Sequence, residues 1–206
     1  MVQNNKRMPG RPRCFQADQA LDQAIRVFWT KGYEAATIDD LTIAMGLSRP
    51  SLYNAFGDKE ALFIRCLERY ETTIGALTGQ AMETARSARE AVSVFLRQAV
   101  LNSTGEGGPN GCMIACIIPA VEDAAIRRFL AATVAASDAA LTARLAAGIA
   151  SGELSEDFPV AQRARLVTNL SMALALRARA GTSRETLLEA AAEGAALALG
   201  PIVSSE

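Results

Sequence analysis

The chain contains no histidine. That removes the commonest general base and the commonest metal ligand, and no paired carboxylates cluster to take their place. Aromatic residues are also scarce, at 5% of 206 positions, whereas alanine and leucine are abundant. That balance favours helix, because alanine and leucine lose little entropy in one. No segment alternates apolar and polar residues at the period of a strand, and no tandem repeat is present. Long apolar runs are missing too: the most apolar stretch, Cys112 to Val121, has about a third to a half of the length that spans a bilayer. Residues 1–30 lack the apolar segment of a secretory signal. Together these absences predict an all-α, soluble, cytoplasmic protein with no catalytic residues, metal, cofactor or membrane partner. The cysteines Cys14, Cys66, Cys112 and Cys116 are then expected to be reduced.

Half of the residues are apolar, so a sizeable core can be buried. The net charge of −1 says little by itself, but its distribution says more. Residues 1–13 carry Lys6, Arg7, Arg11 and Arg13 with no acid. Residues 1–60 sum to +1 (eight basic, seven acidic) and residues 61–206 to −2 (13 basic, 15 acidic). A contact with nucleic acid is therefore expected at the N-terminal end. Pro9, Gly10 and Pro12 break residues 1–14 into a flexible basic arm. Its Gly10-Arg11-Pro12-Arg13 run suits insertion into a narrow A/T-rich minor groove; a disordered basic tail is the plain alternative.

Leu21, Ala24, Ile25, Phe28 and Trp29 recur at helical spacing, ending at Gly32. Thr37 to Asp40 forms a capping box for a short helix that turns Ile38, Leu41 and Met45 inward and stops at Gly46. Ser48 caps a second short helix, with Pro50 in its first turn and Leu52 and Phe56 facing the core. A helix, a tight turn at Gly46-Leu47-Ser48 and a second helix, over residues 37–56, is the helix-turn-helix layout. The leading side chains of its second helix suit base edges in a major groove. Arg49 has the fork for guanine, and Ser48 and Ser51 serve several bases. Thr37, Tyr53 and Lys59 are better placed for phosphates. An ordinary helical hairpin is the competing reading of these residues.

The run from Ala36 through Gly46-Leu47-Ser48-Arg49-Pro50-Ser51-Leu52-Tyr53-Asn54 to Phe56-Gly57-Asp58-Lys59-Glu60-Ala61-Leu62-Phe63 resembles the TetR/AcrR family of repressors. So does the preceding helix with Phe28 and Gly32-Tyr33. The resemblance covers about residues 18–65. It implies a three-helix DNA-binding domain, a larger helical ligand-binding domain, and a homodimer on a palindromic double-stranded operator released by a small-molecule inducer. By position it assigns base contacts to Ser48, Arg49, Pro50 and Ser51, and backbone contacts to Thr37, Tyr53, Asn54 and Lys59. Asn54 replaces the histidine common there, and Asp39 stands where other members often carry a basic residue.

The resulting division is an arm over 1–14, a DNA-binding domain over 15–60 and a ligand and dimer domain over 61–206. Asp58 opens a long helix whose stripe is Leu62, Phe63, Cys66, Leu67, Tyr70, Ile74 and Leu77. Further helices are expected over roughly 87–102, 112–121, 123–150, 159–180 and 183–199, with a capping box at Thr182 to Glu185. The last two helices are assigned to the dimer, through Val160, Val167, Leu170 and Leu174 on one and Leu188, Ala191, Ala192, Ala195 and Leu199 on the other. These stripes serve equally as core of their own domain. Phe95, Met113, Ile117, Phe129 and Met172 are candidate lining of a ligand pocket, with Arg97 and Asn102 as polar contacts. Cys112 and Cys116 share a helix face, which suits either a sensor of oxidants or electrophiles or two small buried hydrophobes. A helical enzyme or scaffold is the remaining alternative.

Overall fold

Local caps set where most helices begin. In the computed structural model, which describes residues 13–105 and 108–200, side-chain oxygens of Thr37, Ser48, Asp58, Ser87, Asp123 and Ser183 each accept a backbone N–H from the first turn they precede. The helices are α1 (Arg13–Lys31), α2 (Ile38–Met45), α3 (Arg49–Phe56), α4 (Lys59–Tyr70), α5 (Ala76–Glu83), α6 (Ala88–Ser103), α7 (Met113–Ile117), α8 (Ala124–Ala150), α9 (Val160–Arg179) and α10 (Arg184–Leu199). No strand occurs among the described residues. Arg11 lies outside them, and α1 already begins at Arg13, within the segment expected to be an arm. The last cap is Ser183 rather than Thr182, because the Ser183 hydroxyl is the one that reaches the Thr186 N–H, at 3.2 Å. Pro119 sits in the 3₁₀ turn Ile118–Ala120 that follows α7.

Helix α4 does not run straight into α5. Residues Glu71–Gly75 form a π turn, in which the Ala76 N–H reaches back five residues to the Glu71 carbonyl. Two threonines support the widened turn. Thr72 and Thr73 donate hydroxyl hydrogen bonds to the Arg69 carbonyl, at 3.1 and 2.7 Å. The extra residue rotates everything beyond it. Leu77, expected inside, is 46% exposed, and Thr78 and Met82 turn inward instead.

Two apolar clusters result. One joins α1 to α4 with α7, the 3₁₀ turn and the start of α8: Phe28, Leu41, Leu52, Leu62 and Phe63 pack with Met113, Ile118 and Ile126. Phe63 meets Phe28 edge-on with centroids 4.7 Å apart, and Arg69 clamps Asp22 through two bonds of 2.6 and 2.8 Å. The other cluster joins α5, α6, the second half of α8, α9 and α10 around Leu96, Val100, Leu141, Leu145, Val167 and Leu187. Gly148 lets α8 press onto α6, since a Cβ there would lie 2.6 Å from that of Ala88. By length and apolarity α8 has the makings of a membrane-crossing helix. Here Leu141, Leu145 and Gly148 bury one side of it, and Arg144 bonds the Ala85 and Ser87 carbonyls.

The stripes assigned to the dimer fall differently. Val167, Leu174, Ala191, Ala195 and Leu199 are buried in their own core. The apolar residues left outward on α9 and α10 are Ala161, Leu166, Ala173, Leu176, Ala192, Ala196 and Leu197, with Leu176 60% and Leu197 77% exposed. Alanine on both faces of each helix hid the distinction.

Candidate nucleic-acid interface

The turn between α2 and α3 rests on Gly46, whose φ of 65° is left-handed and strained for any residue with a Cβ. Leu41, Met45, Leu52 and Phe56 fix both helices on α1 and α4. Rigid packing on one side leaves the start of α3 outward: Ser48, Arg49, Pro50, Ser51, Tyr53 and Asn54 are all exposed. The Ser48 hydroxyl accepts the Ser51 N–H at 3.3 Å and lies 2.9 Å from the Ser51 hydroxyl. Arg49 pairs with Asp39 of α2, whose carboxylate hydrogen bonds push the guanidinium further up from its ordinary value. Thr37 donates from N–H and hydroxyl to Asp40, which also receives Lys31 at 2.7 Å. Lys59 is half-buried: its Nζ donates to the Glu34 carbonyl at 3.2 Å and lies 4.6 Å from the centre of the Tyr33 ring. Sequence reasoning left Asp39 without a role. Its signal was an acid within the helix-turn-helix motif.

A second site lies where the two clusters meet. A cavity of about 360 Å³ opens between the π turn, α5, α6, α8 and α9. Phe95, Met172 and Asn102 line it; Met113, Ile117 and Phe129 belong instead to the cluster around α4, and Arg97 is exposed. The wall also includes Tyr70, Ile74, Thr78, Met82 and Thr168; sequence reasoning missed Thr78 and Met82 because the π turn chooses which residues of α5 face inward. Among its lining residues Glu71 is the one charged group, and none is basic. Tyr70 is 3% exposed, and its hydroxyl has no hydrogen-bond partner among the described residues. Burial, with the Cys112 thiol alongside, pushes that hydroxyl up from its ordinary value, so it stays a donor. Its ring packs edge-on against Trp29 of α1, with centroids 5.4 Å apart.

Cys112 lines the cavity, whereas Cys116 donates to the Ala175 carbonyl at 3.7 Å and burial pushes its thiol up. Cys66 is fully buried and also pushed up. Cys66 and Cys116 are thus packed, protonated thiols, and the thiol-triggered alternative is not favoured. Among the described residues no group of three metal-ligating side chains occurs.

An exposed recognition helix on a packed three-helix base defines a DNA-binding regulator. The TetR_N family model, described as bacterial regulatory proteins of the tetR family, matches residues 20–66. The HTH-type transcriptional repressor ComR of Escherichia coli K12 is 31% identical over 199 residues, 95% of this chain and 94% of that protein. BdcR, another HTH-type transcriptional repressor of that organism, is 33% identical over 136 residues, 64% of this chain and 69% of its own. The solved structure of the TetR family transcriptional regulator CifR, a cysteine mutant complexed with 26-base-pair double-strand operator DNA, has a TM-score of 0.82 and 34% identity, covering 90% of this chain and 98% of that one. The chain belongs to the TetR family of bacterial transcriptional regulators. It acts on transcription and is not an enzyme.

Proposed function

We propose that this protein is a dimeric cytoplasmic repressor that holds a palindromic operator and releases it when a small molecule fills the cavity beneath the π turn. The observation that carries this is the exposed, rigidly based start of α3. Ser48, Arg49, Pro50 and Ser51 read base edges, and Thr37, Tyr53, Asn54 and Lys59 contact the backbone. Lys59 then exchanges its Glu34 carbonyl for a phosphate oxygen. ComR and BdcR are repressors by name, and CifR was solved on an operator. These relatives support the reading.

Residues 15–60 serve as the DNA-binding unit and 61–206 as the effector and dimer unit, with the α4 residues beyond 60 packing in the same cluster as α1 to α3. The outward Leu166, Leu176 and Leu197 supply the dimer face. The inducer is an uncharged or cationic molecule, mainly apolar, with an acceptor for the Tyr70 hydroxyl. An anion would find no basic partner in the lining. Its binding favours a dimer geometry with a changed spacing of recognition helices, and operator affinity falls by its differential affinity for the two geometries.

The test is binding to the duplex that the protein itself selects from a random library, and to a scrambled duplex. Tyr53→Ala weakens both about equally, while Arg49→Ala narrows the gap between them, by roughly tenfold for one lost guanine contact. Equal losses on both duplexes from both changes would overturn the assignment.

A further inference from the structure

Asp39 sits in the first turn of α2, and across the turn its carboxylate holds Arg49, the leading side chain of α3. Oδ1 lies 2.9 Å from Nε and 2.6 Å from Nη2, and Oδ2 lies 2.7 Å from Nη2. Both side chains stay largely exposed, at 62% and 61%. Such a pair adds little to stability, so its consequence lies at the surface it occupies.

A guanidinium has five N–H groups in a planar fork. The carboxylate occupies the side of the fork formed by Nε and Nη2. Nη1, at the end of the fork, has no hydrogen bond to the described residues. Guanine offers two acceptors, O6 and N7, to two donors in one plane. The end of the fork, Nη1 with the outer hydrogen of Nη2, supplies them without breaking the pair. A phosphate is a different partner. At the same end of the fork it brings a full negative charge near the Asp39 carboxylate, where guanine brings only partial charges, and like charges repel.

We propose that Asp39 is a specificity-determining residue: it props Arg49 in a guanine-reading pose and denies that guanidinium to the phosphate backbone. The proposal rests on the reading of Arg49 as a base contact. With Asp39 present, the contact is worth much on the correct base pair and little elsewhere. Without it, Arg49 is a free cation on a long stem that settles on any nearby phosphate, which raises affinity for every sequence and erases part of the discrimination.

The duplex that wild-type protein selects from a randomised library, and a scrambled duplex of equal composition, are the probes. Affinity for each is measured between 50 and 200 mM salt, roughly the range over which phosphate contacts weigh most. Asp39→Asn is expected to tighten binding to the scrambled duplex several-fold, steepen its salt slope by about one and cut the preference for the selected duplex by about tenfold. Asp39→Glu keeps the charge and is expected to keep the preference. In an Arg49→Ala background, Asp39→Asn is expected to leave both the salt slope and the preference unchanged. Unaltered preference in Asp39→Asn, with Arg49→Ala still relaxing it, overturns the role of Asp39 and leaves Arg49 as a base reader. Unaltered preference in Arg49→Ala overturns the base-reading itself. Equal loss of preference in Asp39→Asn and Asp39→Glu, traced to a lower melting temperature, assigns the effect to packing of α2 and overturns the proposal.

Discussion

At the start of α2 a single carboxylate serves three donors: the Lys31 ammonium at 2.7 Å, the Thr37 N–H at 3.1 Å and the Thr37 hydroxyl at 2.8 Å. The hydrogen bond from Lys31, then those from Thr37, hold the Asp40 carboxyl at about 2, below its ordinary 3.8. The folded protein therefore binds this proton less readily than the unfolded chain. The resulting stabilisation is complete above about pH 4 and disappears as pH falls toward 2. The gap in melting temperature between wild type and Asp40→Asn is expected to be constant from neutral pH down to about 4 and to shrink below it. A gap independent of pH would mean that the carboxyl acts through shape alone. Thr37 itself is held by this box, so a phosphate contact from its hydroxyl requires the box to open.

Element boundaries were legible because caps are local chemistry. Thr37, Ser48, Asp58 and Ser87 accept their N–H bonds within three residues, and the sequence displays both partners. The helix-turn-helix was legible for the same reason, with Gly46 marking the turn. What could not be read was which face of a helix meets which neighbour. In α9 and α10, alanine and leucine occur on both sides, so Val167 and Leu174 suited a partner as well as a core until packing decided. In α5, a π turn set by Thr72 and Thr73 moved Leu77 outward and Thr78 inward, and no periodicity announces an inserted residue. The cavity was half legible on that account: Phe95 and Met172 lie on uninterrupted helices, whereas the wall from Ile74 to Met82 lies in and beyond the turn. Helix crossings carry their own prediction. With a Cβ at residue 148 only 2.6 Å from Ala88, Gly148→Val is expected to destabilise the fold by about 1–3 kcal/mol through overpacking. Urea unfolding should report this, and unchanged stability would show that α6 and α8 can separate freely.

For the molecule as a whole, the outward Leu176 and Leu197 are the centre of the proposed face between two copies. Leu176→Glu with Leu197→Glu is expected to yield folded monomers by sedimentation. Losing the tether between two half-site contacts should cost operator affinity on the order of 100-fold or more. A dimer that survives both changes would move the face elsewhere. Each chain also has its own long lever. Below the cavity, α4 is bolted to α1 by Phe63 on Phe28 and Arg69 on Asp22; beyond it, α5 lies on α6 through Met82. Between these anchored stretches, five residues follow the wider π pattern, the local departure from the α ladder. Deuterium should therefore enter the amides of residues 71–76 well before those of 62–70, marking the place where the rod gives while its two ends stay whole.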